Sequence, residues 1–368
     1  MNIENLPKPD SNAQAHSEKL QQYIIQMIEA SEGFLSFQDF MQAALYAPGL
    51  GYYMSGAHKI GKGGDFITAP ELSPLFSKCV AKYCCNELTR LNGGNILEFG
   101  AGTGTMAAHI LETLALSEVM PEYYYILEPS PDLQTRQKAT INNICPEQLD
   151  RVQWLSSLPE AFEGIILANE VVDAMPVVLF EVKDRAVFEK GVGVEDNRFV
   201  WKTRQADETL TERVESLVHE STYTSEINFF ADEWIKSIAN ILRRGSMLII
   251  DYGFSNKEYY HPQRCMGTLM CHYQHHAHDD PLILVGIQDI TAHVDFSSLT
   301  KSAEASGLNV HAYSNQVEFL LAHDLLIFAE ALMTTPEWHT HHAHAIKQLT
   351  SPGEMGELFK VLCLRSAG

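Results

Sequence analysis

The stretch Asn95-Ile96-Leu97-Glu98-Phe99-Gly100-Ala101-Gly102-Thr103-Gly104 constrains this chain more than any other. Its first half is an apolar run of strand length, and Thr103 to Leu116 repeats apolar residues at helical spacing. Between them, glycine falls at every second position. Glycine accepts positive φ and lets a ligand come close to the main chain, and a helix start offers unpaired N–H groups suited to a carboxylate or phosphate. The pattern continues downstream. Tyr123–Glu128, Val152–Leu155, Gly164–Ala168 and Ser246–Tyr252 read as strands, and Pro131–Thr140 and Ile227–Arg243 read as helices. Strand and helix in alternation predict an α/β chain with a doubly wound parallel sheet.

The 368 residues suffice for one large α/β unit with additions. Helical patterns over Ser17–Ala30 and from the capping box Ser36-Phe37-Gln38-Asp39 to Leu45 precede it. A Gly- and Pro-rich stretch, Tyr46–Pro74, is placed to fold over the glycine turn as a lid. This divides the chain into N-terminal helices with a lid-like segment, 1–72, and a sheet domain, 73–368. Insertions interrupt the latter at about 178–225, where strands meander, and at about 255–294, which looks irregular. Gly245 reads as a helix C-cap, Val317–Met333 as one helix and Leu358–Leu364 as a last strand.

Net charge is −21, from 47 acidic and 26 basic residues, and no Lys/Arg cluster offsets it. Affinity for phosphate backbones needs basic side chains that displace counterions, so nucleic acid is not expected as a partner. The seven cysteines show no metal-knuckle or Cys-x-x-Cys spacing, which fits reduced thiols and a cytoplasmic location. No apolar run has the length of a membrane span. The histidine patches, His272–His278 and His339–His344, lack supporting cysteines or a helix-face His-Glu-x-x-His arrangement, so no metal is expected.

Chemistry gathers at strand ends, where open α/β sheets bind ligands. Dinucleotide sites prefer G-x-G-x-x-G, whereas here the spacing is G-x-G-x-G, with Thr105 where that pattern wants a small residue. Glu128 closes the second strand, where a carboxylate can accept from both hydroxyls of a ribose. Asn169 and Glu170 close the fourth, and a carboxylate there can hold a guanidinium or simply cap a helix. Ser156 and Ser157 follow the third strand at the position of an adenine edge. His293 is a candidate substrate contact or base.

The glycine spacing with Glu98 before it resembles the first motif of class I methyltransferases. Further blocks resemble the MidA family, bacterial and mitochondrial relatives of a complex I assembly factor that methylates arginine. They include Gly64-Asp65-Phe66-Ile67-Thr68-Ala69-Pro70-Glu71, Ala168-Asn169-Glu170-x-x-Asp173-Ala174-x-Pro176 and Gln288-Asp289-Ile290-Thr291-Ala292-His293-Val294-Asp295-Phe296. Such blocks run in family order over nearly the whole chain. The resemblance implies a class I methyltransferase fold with an antiparallel last strand and S-adenosylmethionine as cofactor. It implies that Glu98, Gly100, Gly102, Gly104 and Glu128 hold that cofactor, with Asn169, Asp65 and Thr68 beside it. Glu170, Asp173 and His293 become the catalytic candidates, and Glu71 a wall residue. In the mitochondrial branch it implies symmetric dimethylation of arginine on a respiratory-chain subunit. The chain lacks the paired-glutamate hairpin of better-known arginine methyltransferases. Three alternatives remain at this point: a methyltransferase for another protein or a small molecule, a cofactor-binding assembly factor with little catalysis, and an NAD-dependent oxidoreductase.

Overall fold

The computed structural model describes residues 6–55, 68–333 and 342–367. Its centre is an eight-stranded sheet. Seven strands carry it: β1 (Asn95–Phe99), β2 (Tyr124–Leu127), β3 (Val152–Leu155), β4 (Phe162–Asn169), β5 (Leu242–Phe254), β6 (Leu308–Asn315) and β7 (Phe359–Ser366). Their order is β6-β7-β5-β4-β1-β2-β3, and Val294–Asp295 adds alongside the end of β5. Strands β1 to β5 run parallel, while β7 is antiparallel to both β5 and β6. The order turns back between β1 and β4, so the carboxyl ends of these strands frame a crevice.

The apolar runs follow from burial on both faces. Ile96, Ile165 and Leu248 pack on one side, against the helices Pro74–Leu91, Thr105–Leu116 and Gln316–Ala322. Their neighbours Leu97, Ile166 and Ile249 pack on the other, against Phe229–Ile241 and Phe296–Ala305. The two-residue side-chain period of a strand therefore splits each run between two cores.

A third core joins the N-terminal helices to both insertions. Leu20 and Ile24 of helix Ser11–Ala30, with Phe37 and Phe40 of helix Phe37–Tyr46, pack on Leu179 and Val192 of the first insertion and on Cys271 and Ile290 of the second. Leu35–Ser36 pairs with Ala186–Glu195, inside a five-stranded sheet completed by Val178–Lys183, Arg198–Gln205 and Thr222–Ile227. The second insertion contains its own three-stranded sheet, Met270–Tyr273, His276–His278 and Asp289–Thr291, where the sequence looked irregular.

Three local readings are corrected. The first helix starts at Ser11 rather than Ser17, because Asp10 accepts the Asn12 and Ala13 N–H groups. Val317–Met333 is two helices, Gln316–Ala322 and Leu325–Leu332. Asp324 sits between them at φ +65° and pairs with Lys82 at 2.9 Å. Gly245 lies inside β5, not at a helix end, and a Cβ there would meet the Gly164 carbonyl oxygen at 1.9 Å. Among the described residues no helix is long and apolar enough to cross a membrane. All seven cysteines are free thiols.

Candidate active site

A cavity of about 300 Å3 opens at the carboxyl ends of β1, β2 and β4, within the size range of small-molecule sites. The glycine turn forms its floor. Gly100, Gly102 and Gly104 have φ of +60°, +53° and +85°, a region where a side chain is strained. At Gly104 space is short as well: a Cβ would lie 2.8 Å from the Gln137 Cα. The turn is thus pressed against the next helix, and the start of Thr105–Leu116 faces the cavity through Thr105 and Met106.

Both strand-end acids line this cavity. Glu98 is 1 % exposed and accepts from the Tyr124 hydroxyl at 2.7 Å. Burial pushes its carboxyl up to about 7. Glu128 accepts from the Ser130 N–H at 2.9 Å and from Gln137 Nε2 at 3.2 Å, and burial raises its pKa too. Gln137, fully buried, also donates to the Gly102 carbonyl at 3.1 Å and accepts from Trp154 Nε1 at 2.8 Å.

Across the cavity, β4 ends in Asn169, whose Nδ2 donates to Glu170 at 3.1 Å. Asn169 Oδ1 is buried without a partner, so it is free to accept from a ligand N–H. Glu170 adopts φ +50°, a costly conformation for a glutamate that aims its half-buried carboxylate at the cavity wall. Burial, and then the neighbouring Asp173 carboxylate, push Glu170 up to about 8. Asp173 lies just behind the wall, accepts from the Tyr252 hydroxyl at 2.5 Å and is pushed by burial up to about 6. Asp251 behind it accepts the Val172 and Asp173 N–H groups at 3.0 and 3.2 Å.

The N-terminal helices close the remaining side. Tyr46 and Tyr53 stack at 5.6 Å and both line the cavity. Their hydroxyls donate to the Ala174 carbonyl at 3.0 Å and to Asp289 at 2.9 Å. Thr68 and Glu71 reach the cavity from the turn Ala69–Leu72, and Glu71 accepts from the Thr103 hydroxyl in the glycine turn.

The cavity therefore gathers Glu98, Gly100, Gly102, Glu128, Asn169, Glu170 and Thr68, while Gly104 lies outside the lining, at the N-cap of Thr105–Leu116 against Gln137. Asp173 and His293 do not line it. His293 packs flat on Phe254 at 5.1 Å and edge-on to Tyr252 at 4.9 Å. Burial, and then Arg264, lower its pKa to about 4. Ser156 and Ser157 are exposed and outside the lining. Asp65 lies outside the described residues. Among the described residues no three His, Cys, Asp or Glu side chains are placed to hold a metal. Tyr46 and Tyr53 belong to the stretch expected to fold over the glycine turn, whereas sequence reasoning missed Gln137 and Trp154. Gln137 alone left a trace, an amide one helical turn before buried Ile141.

The glycine floor, the two strand-end acids and the orphaned Asn169 oxygen fit a ligand with a carboxylate, a ribose and N–H donors. Comparison with known proteins agrees. Residues 79–314 match the family described as "Putative S-adenosyl-L-methionine-dependent methyltransferase". The chain is similar to the protein arginine methyltransferase NDUFAF7 homolog, mitochondrial, of Drosophila melanogaster, at 27% identity over 409 residues, covering 97% of this chain and 88% of that protein. Protein arginine methyltransferase NDUFAF7, mitochondrial, of Danio rerio is 28% identical, covering 89% and 82%. A crystal structure from Burkholderia thailandensis bound to S-adenosyl-homocysteine superposes with a TM-score of 0.95 at 40% identity, covering 98% of this chain and 95% of that one.

Proposed function

The chain belongs to the family of S-adenosylmethionine-dependent methyltransferases, and from that premise we propose that it methylates an arginine side chain of a protein substrate. The cofactor supplies an electrophilic methyl group on a sulfonium. The glycine turn and Thr68 seat its methionine end, Glu98 and Asn169 accept from its N–H groups, and Glu128 accepts from its ribose hydroxyls. The family resemblance adds Asp65 as a further cofactor contact.

The observation that carries the arginine reading is the carboxylate group at the far wall. Glu170 faces the cavity with Asp173 and Asp251 behind it, and among the described residues no Lys or Arg lines the cavity to neutralise them. A guanidinium entering there finds a carboxylate able to bind it in a fork. Alignment of the nitrogen with the methyl group, and exclusion of water by Tyr46 and Tyr53, then lower the barrier. Glu170 can take the proton that the nitrogen releases. His293 acts at most through Tyr252 and Asp173, because it does not reach the cavity.

Residues 1–72 and the two insertions act as one cap over the methyltransferase domain, 73–368, in this proposal. The names of the relatives support a protein arginine as acceptor, and the family resemblance extends the proposal to a respiratory-chain subunit methylated symmetrically. The free thiols support a reducing, cytoplasmic compartment. Mass spectrometry of methylarginine in wild-type and deletion cells tests the assignment. We expect at least one methylarginine to disappear from a protein in the deletion cells. An unchanged methylarginine inventory overturns it.

A further inference from the structure

Helix Pro131–Ile144 buries only two side chains, Gln137 and Ile141. Ile141 is ordinary helix-to-sheet packing. Gln137 is not, since its amide is 0 % exposed and each of its hydrogen-bonding atoms is committed. Trp154 Nε1 can only donate, so the Gln137 oxygen must face it. The amide nitrogen must then face the Gly102 carbonyl and Glu128 Oε2, and both of these can only accept. The orientation is therefore dictated by its partners. One side chain ties together the glycine turn after β1, the acid after β2 and the indole on β3.

We propose that Gln137 is a positioning residue for the cofactor, fixing the Glu128 carboxylate against the glycine turn so that both meet the ligand in one geometry. The inference rests on the reading of Glu128 as the ribose acid. With Oε2 held by Gln137 and Oε1 by the Ser130 N–H, the Glu128 carboxylate cannot rotate, and its remaining acceptor capacity faces the cavity. Without Gln137 the carboxylate is free to turn, and the Gly102 carbonyl loses the bond that holds the turn down. An apolar side chain of equal length would pack the helix on the sheet equally well. Packing alone does not call for an amide here, where burying one costs free energy unless every bond is made.

Titration calorimetry of the full chain with S-adenosylhomocysteine tests this, using Glu128→Ala, Gln137→Met and the double variant. We expect each single variant to weaken binding about tenfold or more, as for loss of a bond to a charged group. In the Glu128→Ala background, Gln137→Met should weaken it by clearly less than in the otherwise wild-type chain, because only its hold on the Gly102 carbonyl remains. An equal loss in both backgrounds, or no loss in the otherwise wild-type chain, overturns the proposal. Unchanged binding by Glu128→Ala instead overturns the ribose reading on which it rests. Gln137→Glu keeps the shape and provides a second readout should Gln137→Met not fold. Its new carboxyl faces that of Glu128, so its affinity relative to wild type should fall as pH rises from about 5.5 to 8, as the second carboxyl ionises. Parallel pH curves for the two proteins overturn the proposal.

Discussion

The two sides of the cavity are assembled from very different distances along the chain. On the cofactor side, bonded partners are close in sequence: 26 residues separate Tyr124 from Glu98, 9 separate Gln137 from Glu128 and 35 separate Gln137 from Gly102. On the far side, 79 residues separate Tyr252 from Asp173, 128 separate Tyr46 from Ala174 and 236 separate Tyr53 from Asp289. Apart from Thr68, which precedes the sheet, the first side needs only consecutive strand–helix units. The second needs the core that joins the N-terminal helices to both insertions. Cofactor binding is thus a local property of the sheet, while acceptor binding depends on long-range packing, and the two should be separable by mutation.

The largest expected effect breaks the cofactor side alone. Gly104→Val places a branched side chain at φ +85° and into the Gln137 backbone. The backbone term alone costs about 1–2 kcal/mol, and the collision displaces the turn. Calorimetry should show S-adenosylhomocysteine affinity falling by about 100-fold or more, while the Tyr53–Asp289 side keeps its near-ultraviolet circular dichroism.

The next effect belongs to the acceptor side. In the proposed role Glu170, pushed up to about 8 by burial and Asp173, must be ionised to hold a cation and take a proton. kcat/KM for methyl transfer should therefore rise with pH, by roughly tenfold per unit well below that value, and level off above it. Glu170→Gln should remove this limb of the profile. A profile that keeps its slope in Glu170→Gln assigns the limb to another group.

A smaller effect concerns stability. Glu98 ionises at an ordinary 4.5 when unfolded but near 7 when folded. Between those values the folded protein holds the extra proton, so its stability falls as pH rises. Glu98→Gln lacks this loss. Its Tm should match wild type below about pH 4.5 and exceed it at pH 8 by about 2–5 °C, with weaker cofactor binding. Equal melting curves at pH 8 would show that Glu98 is not held in its neutral form.

The smallest is Tyr53→Phe, which removes the bond to Asp289 and keeps the ring. Methyl transfer should drop about two- to fivefold, as for one lost hydrogen bond, through KM and without change in S-adenosylhomocysteine affinity.

The same contrast explains what the sequence reveals. Gly100, Gly102, Gly104, Glu98 and Glu128 are legible because strand, turn and helix follow one another and each residue's place follows from its element's end. Glu170 is legible by the same rule, and the parallel sheet follows from the alternation of elements, whereas the antiparallel last strand follows only from the family resemblance. The strand Thr222–Ile227 is not legible, because it is placed by pairing with Val178–Lys183. The stretch from Tyr46 is legible as a lid, but the bonds its tyrosines make depend on Phe37 and Phe40 meeting Leu179 and Ile290, and no local pattern encodes such meetings. The break at Asp324 leaves no local signal either, and the Lys82 that pairs with it lies far away in the chain. Gly245 was misread because a glycine after a helix and a glycine in a crowded strand look alike until the neighbouring Gly164 is in place.

The separability of the two sides is tested most directly with S-adenosylmethionine labelled in its methyl group. The wild-type chain and Glu170→Gln are each incubated with it and extract from cells lacking the protein. S-adenosylhomocysteine affinity is measured for both proteins. The wild-type chain should transfer label that is recovered on hydrolysis as methylarginine. Glu170→Gln should bind S-adenosylhomocysteine within about twofold of wild type and transfer on the order of 100-fold less label. Loss of cofactor affinity together with transfer, or label recovered on a residue other than arginine, would contradict the account.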